Sequence, residues 1–109
     1  MILVDTSAWI EFDRKTGSPV NERLRHLIAD NDEVAVTEPV IMEVVVGAHD
    51  DEREVALRRL LNRFELLSFD PVTDFDNATG IYRRCRKVGI SPRGMLDCMI
   101  AAVAIRYNV

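Results

Sequence analysis

The chain has 109 residues, of which 48% are hydrophobic, so it is long enough to bury one compact core and is not expected to be disordered. The formal net charge of −4 argues against a protein that grips long nucleic acid by bulk positive charge alone. Two cysteines are too few for a disulfide framework or a zinc site, and no apolar run reaches the ~20 residues of a membrane-spanning helix. The first residues lack the charged segment of a signal peptide, so we expect a soluble, cytoplasmic protein without a membrane partner.

Taken in chain order, short apolar runs alternate with longer segments in which apolar residues recur at helical spacing. The predicted strands are residues 2–4, 33–37 and 65–69. Six helices are predicted, and Thr6 or Ser7 caps the first. The next four are residues 20–28, Thr37 to Gly47, residues 49–64 and Thr73 to Gly89, the last of these with Phe75, Ala78, Ile81, Tyr82, Cys85 and Val88 facing inward. In the final helix Ser91 is the predicted cap and Pro92 the first residue, and the helix runs to about Asn108. This alternation predicts an α/β fold in which a short parallel sheet is flanked by helices.

Most of the 18 acidic residues occupy loops or polar helix faces, as Asp30 and Asp32 do in a predicted loop. Asp5, Glu43 and Asp97 are different, because each is the only charge in an apolar run. We expect Asp97 to lie in a buried helix, where a carboxylate is costly unless it is paired. Arg93 is four residues before Asp97 and can pair with it, whereas no arginine within helical reach neutralises Glu43.

One such acid can have a purely structural role, but three from separate segments are better explained together. Asp5 follows a predicted strand at its carboxyl end, which is where ligands bind in parallel sheets. Carboxylates that come close together repel one another unless a cation lies between them, and hard oxygen ligands select Mg²⁺ or Mn²⁺. The sequence therefore predicts a divalent-metal site built from Asp5, Glu43 and Asp97, with phosphoryl or phosphodiester transfer as its chemistry.

The stretches "MILVDTSAWIEF", "EPVIMEVVVGA" and "RGMLDCMIAAVAI", in this order and spacing, resemble a PIN-domain ribonuclease and most closely the VapC toxins of bacterial toxin–antitoxin pairs. The resemblance covers the whole chain and implies a three-layer PIN-like fold. It also implies a Mg²⁺- or Mn²⁺-dependent endoribonuclease that cuts structured RNA such as tRNA or ribosomal RNA. Further implied are a cognate VapB-type antitoxin, whose tail enters the active-site groove, and a toxin homodimer. On the matching positions, Asp5, Glu43 and Asp97 become the catalytic metal ligands, and the hydroxyls of Thr6 and Ser7 help to order the site.

VapC-like chains usually continue past this final helix to another strand and a fourth acidic residue, neither of which can be assigned here. We therefore interpret residues 1–109 as a single PIN-like domain that is truncated at its C-terminus. Loss of that strand is expected to expose a sheet edge. We also expect weakened metal binding and little RNA cleavage by the 109-residue chain.

Basic residues cluster before and at the predicted start of the final helix. Arg93 is the foremost candidate for holding an RNA phosphate, with Arg83 and Arg84 beside it, because arginine suits bidentate phosphate contacts. The alternative interpretation of this cluster is an ordinary solvated helix face.

Two other functions are compatible with parts of the pattern. A haloacid-dehalogenase-type phosphohydrolase also begins with a strand that ends in Asp, but Ser7 occupies the position of its second Asp, and Lys15 and Lys87 are the only lysines. A non-catalytic PIN-like binding module is the other alternative.

Overall fold

The computed structural model describes residues 1–30 and 33–109, so the loop prediction for Asp32 lies outside the described residues. Strands and helices alternate as the sequence predicts. Over the described ranges, no helix combines the length and apolar character needed to cross a membrane. In chain order the elements are β1 (Ile2–Leu3), α1 (Thr6–Arg14), α2 (Pro19–Ala29), β2 (Val34–Val36), α3 (Glu38–Val45), α4 (Asp51–Leu61), β3 (Glu65–Leu66), α5 (Asp74–Lys87) and α6 (Met95–Tyr107).

The three strands form one parallel sheet, as the sequence predicts, and their order in it is β1-β2-β3. Leu3 of β1 pairs with Ala35 of β2, and Val36 of β2 pairs with Leu66 of β3. All three strands are shorter than their predicted ranges. Their carboxyl ends lie at the same edge of the sheet, which is the edge where ligands bind in open α/β folds.

Helices cover both faces of the sheet. Side chains alternate across a strand, and in β2 this places Val34 and Val36 in one core cluster and Ala35 in another. The first cluster contains side chains from α1 to α4, with Trp9 and Leu61 completely buried. The second contains Val103 of α6, and α5 packs on α6 from outside. This arrangement of helix, sheet and helix is the expected three-layer fold.

Two helix starts differ from the predictions. Asp5, rather than Thr6 or Ser7, is the N-cap of α1, since its carboxylate accepts a hydrogen bond from Ala8 N at 3.1 Å. The final helix begins at Met95 instead of Pro92, because Gly94 takes an extended backbone conformation (φ 174°, ψ 177°) that helical geometry excludes. Glycine is also a poor helix former, so the segment from Val88 to Gly94 remains a connection between α5 and α6.

The inward face of α5 also differs in part from the prediction. Ala78 is fully buried as expected, but Phe75 is 53% exposed and Val88 is 72% exposed. Asp74, an acid in the first turn of α5, is completely buried. An ion pair between Asp74 and Arg106 holds the start of α5 against α6.

Candidate active site

An open cavity of about 1000 Å³ lies at the carboxyl edge of the sheet. Asp5, Glu43 and Asp97 all line it, although they come from the end of β1, from α3 and from α6. The parallel sheet explains this meeting, because the helices that follow β1 and β2 both start from the same edge. The side chains of Thr6, Ser7, Ile10, Arg93, Met95, Leu96, Ile100, Ala101 and Ala104, with Leu3 and Gly94, complete the lining.

Local hydrogen bonds hold the Asp5 carboxylate. Its Oδ1 atom accepts from Ser7 Oγ and from the backbone N–H of Ala8, each at 3.1 Å. Both donors belong to the first turn of α1, whose dipole favours a negative charge at this end. Ser7 thus orients Asp5, while Oδ2 of Asp5 accepts no hydrogen bond from the described residues.

Asp97 is exposed, so the expectation that it is a buried carboxylate is wrong. The late start of α6 explains the difference, because Asp97 falls in the first turn of the helix at the mouth of the cavity. The helix dipole stabilises a carboxylate at that position without burial. Glu43 is half-buried on α3. Within residues 1–30 and 33–109, neither Glu43 nor Asp97 forms a hydrogen bond or an ion pair, and the expected pairing of Asp97 with Arg93 is absent.

The donor chemistry of this cavity fits Mg²⁺ or Mn²⁺, which prefer carboxylate, hydroxyl and water oxygens. Thr6 supports the fit, because its Oγ1 atom is buried and has no hydrogen-bond partner among the described residues, although Thr6 lines the cavity. A buried hydroxyl in this state is unfavourable unless a water or a ligand satisfies it. The three carboxylates do not converge, however: across the part of the chain that the structure describes, no three His, Cys, Asp or Glu side chains are close enough to hold a metal ion directly.

The basic candidates divide into two groups. Arg93 lines the cavity beside the carboxylates. Arg83 and Arg84 are exposed on α5 and do not line it. Arg84 also folds back along its own helix, since a Cβ atom added at Gly80 would lie 3.2 Å from its guanidinium. The structure thus brings Arg93 to the carboxylates and leaves the other two arginines on a neighbouring surface.

An ion pair that sequence reasoning missed anchors the helix that carries Asp97. Arg106, near the end of α6, donates to both carboxylate oxygens of Asp74 at 2.9 and 2.7 Å and also to Ser68 O. These hydrogen bonds hold the pKa of Asp74 below its ordinary value, against the opposing effect of burial. No local spacing reveals this pair, because its members lie 32 residues apart.

Comparison with known proteins agrees with this fold. The family model for the PIN domain matches residues 2–109. A VapC ribonuclease of Mycobacterium bovis and the ribonuclease VapC11 of Mycobacterium tuberculosis are each 44% identical over 109 residues, which is 99% of this chain and 81% of each relative. A crystal structure of VapBC2 from Rickettsia felis, bound to a DNA fragment of its promoter, has the same fold, with a TM-score of 0.75 and 21% identity over 98% of this chain and 81% of that one. The chain therefore belongs to the PIN-domain family and, within it, to the VapC ribonucleases.

Proposed function

We propose that this chain is a Mg²⁺- or Mn²⁺-dependent endoribonuclease that cuts structured RNA such as tRNA or ribosomal RNA. Asp5, Glu43 and Asp97 are its catalytic residues and would hold the ion partly through coordinated waters, because no three acidic side chains of the described residues lie close enough to hold it directly. The observation that carries the proposal is that these carboxylates, from three separate segments, line one open cavity without a protein cation paired to Glu43 or Asp97 in the described residues. The names of the mycobacterial relatives, which are called ribonucleases, support it.

A bound divalent ion would supply Lewis-acid activation of the phosphate and a lowered pKa for a coordinated water. The chain supplies the remaining functions. Ser7 Oγ and Ala8 N–H keep Asp5 oriented, and the free hydroxyl of Thr6 offers a hydrogen bond to water in the cavity. Asp97, exposed at the mouth, accepts the proton of the attacking water at its carboxylate. No histidine lines this cavity among the described residues, so the proton transfer is assigned to a carboxylate.

The RNA backbone is held by arginine in this proposal. Arg93 lies in the cavity wall and is the contact assigned to the phosphate nearest the cleavage site. Arg83 and Arg84 form an exposed basic surface on α5 that suits more distant phosphates. These contacts give a local attraction for RNA that the net charge of −4 does not provide.

We also propose that the protein acts in the cytoplasm as a homodimer and that a VapB-type antitoxin inhibits it by placing its tail in the acidic cavity. The Rickettsia felis structure, which is a VapBC assembly, supports the partner class. Exposed apolar side chains such as Val46, at 78% exposure, and Met42, at 55%, support a surface that another chain covers. Sedimentation of the purified chain measures the dimer, and co-purification with a co-expressed VapB-type antitoxin measures the antitoxin contact.

Cleavage of bulk tRNA tests the enzymatic proposal. The assay uses excess protein in a single turnover, so that the observed rate is that of cleavage and not of product release. Asp5→Asn, Glu43→Gln and Asp97→Asn are each expected to lower the rate about a hundredfold or more, the scale of a lost catalytic group. Chelation of divalent ions should abolish cleavage, and Mg²⁺ or Mn²⁺ should restore it.

The matched control is Asp76→Asn, which removes an exposed acid of α5 that lies outside the cavity and should leave the rate unchanged. Undiminished cleavage in chelator, or by Asp97→Asn, contradicts the proposal. If the wild type neither cleaves RNA nor binds a divalent ion, the chain is a non-catalytic binding module.

A further inference from the structure

A second, smaller cavity of about 300 Å³ adjoins the acidic one. Ile10 and Glu43 line both cavities and form the wall that they share. The smaller cavity is built from the end of α1, from α3 and from α4, with Gly47 and His49 contributed by the turn between α3 and α4. The two cavities therefore form one groove that follows α1 away from Asp5.

The two ends of this groove differ in charge. The acidic end is lined by the carboxylates of Asp5 and Asp97 and by one arginine, Arg93. At the other end, Arg14 and Arg53 lie with Asp13 and with Glu43 of the shared wall, and Asp13 is already paired with Arg53, which raises the pKa of that arginine. Arg14 has no hydrogen bond or ion pair with any described residue. A guanidinium that no described carboxylate engages therefore lines the groove beyond Glu43.

The spacing suits a nucleic-acid strand. Asp5 caps α1, and Arg14 is nine residues later, which corresponds to about 13 Å along the helix axis. A stacked strand carries one phosphate per ~3.4 Å, so this distance covers about four nucleotides. Arginine offers the planar fork of donors that matches a phosphate.

We propose that the smaller cavity is a binding site for a backbone phosphate of the RNA substrate, with Arg14 as its principal contact, a few nucleotides away from the phosphate that is cut. The site rests on the proposed ribonuclease function and makes it more specific. It holds the strand in the groove, so that the scissile phosphate lies at the carboxylates. The Asp13–Arg53 ion pair joins α1 to α4 and fixes the width of the cavity.

Salt dependence of tRNA binding tests this site. Bulk tRNA is titrated with protein in the Asp97→Asn background, which binds RNA without cutting it, and the logarithm of the association constant is plotted against the logarithm of salt concentration. Loss of one phosphate contact lowers the steepness of that plot by about 0.7 to 0.9. We expect this change for Arg14→Gln and a much smaller one for Arg14→Lys, which keeps the charge.

Arg59→Gln is the matched control, because Arg59 is an exposed arginine of α4 that lines neither cavity. Its plot should match that of the background protein. In the otherwise wild-type chain, Arg14→Gln should raise KM for tRNA severalfold and leave kcat and the thermal midpoint unchanged.

An unchanged salt dependence for Arg14→Gln, or an equal change for Arg59→Gln, overturns the phosphate site. If the wild type cleaves tRNA while Arg14→Gln has no effect, only this site is wrong. If the wild type neither binds nor cleaves tRNA, the proposed function fails, and the phosphate site fails with it.

Discussion

At the scale of single residues, Asp97 and Asp74 show how poorly a local pattern predicts the burial of a carboxylate. Asp97 sits in an apolar run yet is exposed, because it falls in the first turn of a helix at an open cavity. Asp74 sits in a polar run yet has no exposed surface, because Arg106 reaches it from α6. Helical spacing relates residues three or four positions apart, whereas this pair joins distant segments. A partner so far along the chain is outside what a single sequence can reveal.

The Asp74–Arg106 pair predicts a large loss of stability on neutralisation. Asp74→Asn should lower the free energy of unfolding by about 2–3 kcal/mol, because a buried carboxylate that accepts two guanidinium hydrogen bonds is replaced by an amide that accepts fewer. Urea unfolding measures the change. Asp76→Asn, an exposed acid in the same turn, should stay within about 0.5 kcal/mol of the wild type. Equal effects of the two substitutions contradict the assigned role.

The stabilisation that the Asp74–Arg106 pair provides should decrease in acid. The pKa of Asp74 is lower in the folded chain than the ~3.9 of an unfolded aspartate, so the pair stabilises the fold above about pH 4. This contribution disappears as the pH falls through the folded-state pKa. The difference between wild type and Asp74→Asn should therefore be constant near neutrality and shrink in acid. A difference that stays constant to about pH 2 would argue for lost packing instead of lost charge.

At the scale of secondary-structure elements, the sequence predicted every helix and strand of the described chain but misplaced several boundaries. Helix α2 starts one residue before its predicted range, because Ser18 caps it through Asn21 N at 3.1 Å and Pro19 takes its first position. The same pair of residue types occurs at Ser91 and Pro92, which lie outside helix α6 although they were predicted to start it. Capping residues show where a helix can begin. Where α6 does begin depends on the length of non-helical chain that is needed between α5 and α6 for the two helices to pack together.

Two glycines of the α5 region, Gly80 and Gly89, predict opposite effects of a change to alanine on stability. Gly89, after α5, has a positive φ of 81°, so Gly89→Ala should cost about 1 kcal/mol of stability. Gly80 lies inside α5, and a Cβ there meets only the flexible tip of Arg84. Gly80→Ala should therefore stabilise the chain by about 0.5–1 kcal/mol.

Urea unfolding of Gly80→Ala and Gly89→Ala measures both changes in the free energy of unfolding. Gly89→Asn serves as the control, since asparagine tolerates a positive φ better than alanine does. Its loss should be smaller than that of Gly89→Ala. Losses of the same sign at positions 80 and 89 contradict the backbone explanation.

At the scale of the whole molecule, the parallel sheet and the meeting of three acidic residues near its carboxyl edge were predicted from the sequence. Parallel strands bring Asp5 and the start of α3 to one edge, and the carboxylates do line a shared cavity there. Membership of the PIN-domain family decides against the haloacid-dehalogenase alternative. The distances between the carboxylates were beyond prediction, because they depend on how far α3 and α6 separate across an open groove. The basic end of that groove was missed for the same reason, since its residues come from elements that only the fold brings together.

The proposed metal site predicts how the removal of Asp97 and the addition of a divalent ion each change the thermal midpoint of unfolding. Asp97→Asn should change the metal-free thermal midpoint little, because the helix dipole that stabilises the Asp97 carboxylate opposes its repulsion by the other acids of the cavity. In the wild type, Mg²⁺ or Mn²⁺ should raise the midpoint, because an ion that binds only the folded state adds about 2.7 kcal/mol at a hundredfold excess over its Kd. For a domain of this size, that energy is on the order of 10 °C. Asp97→Asn should lose most of this ion-dependent rise.

Thermal unfolding with and without the ion measures both effects, and Asp76→Asn controls for the loss of any single charge. Asp5→Asn tests the other side of the cavity without removing a helix cap, since asparagine caps as well as aspartate does. A carboxylate with a purely structural role gives a different result, because its removal lowers the metal-free midpoint and leaves the ion-dependent rise intact. The two interpretations therefore differ in the metal-free midpoint of the variant and in the size of its ion-dependent rise, and neither measurement requires RNA cleavage.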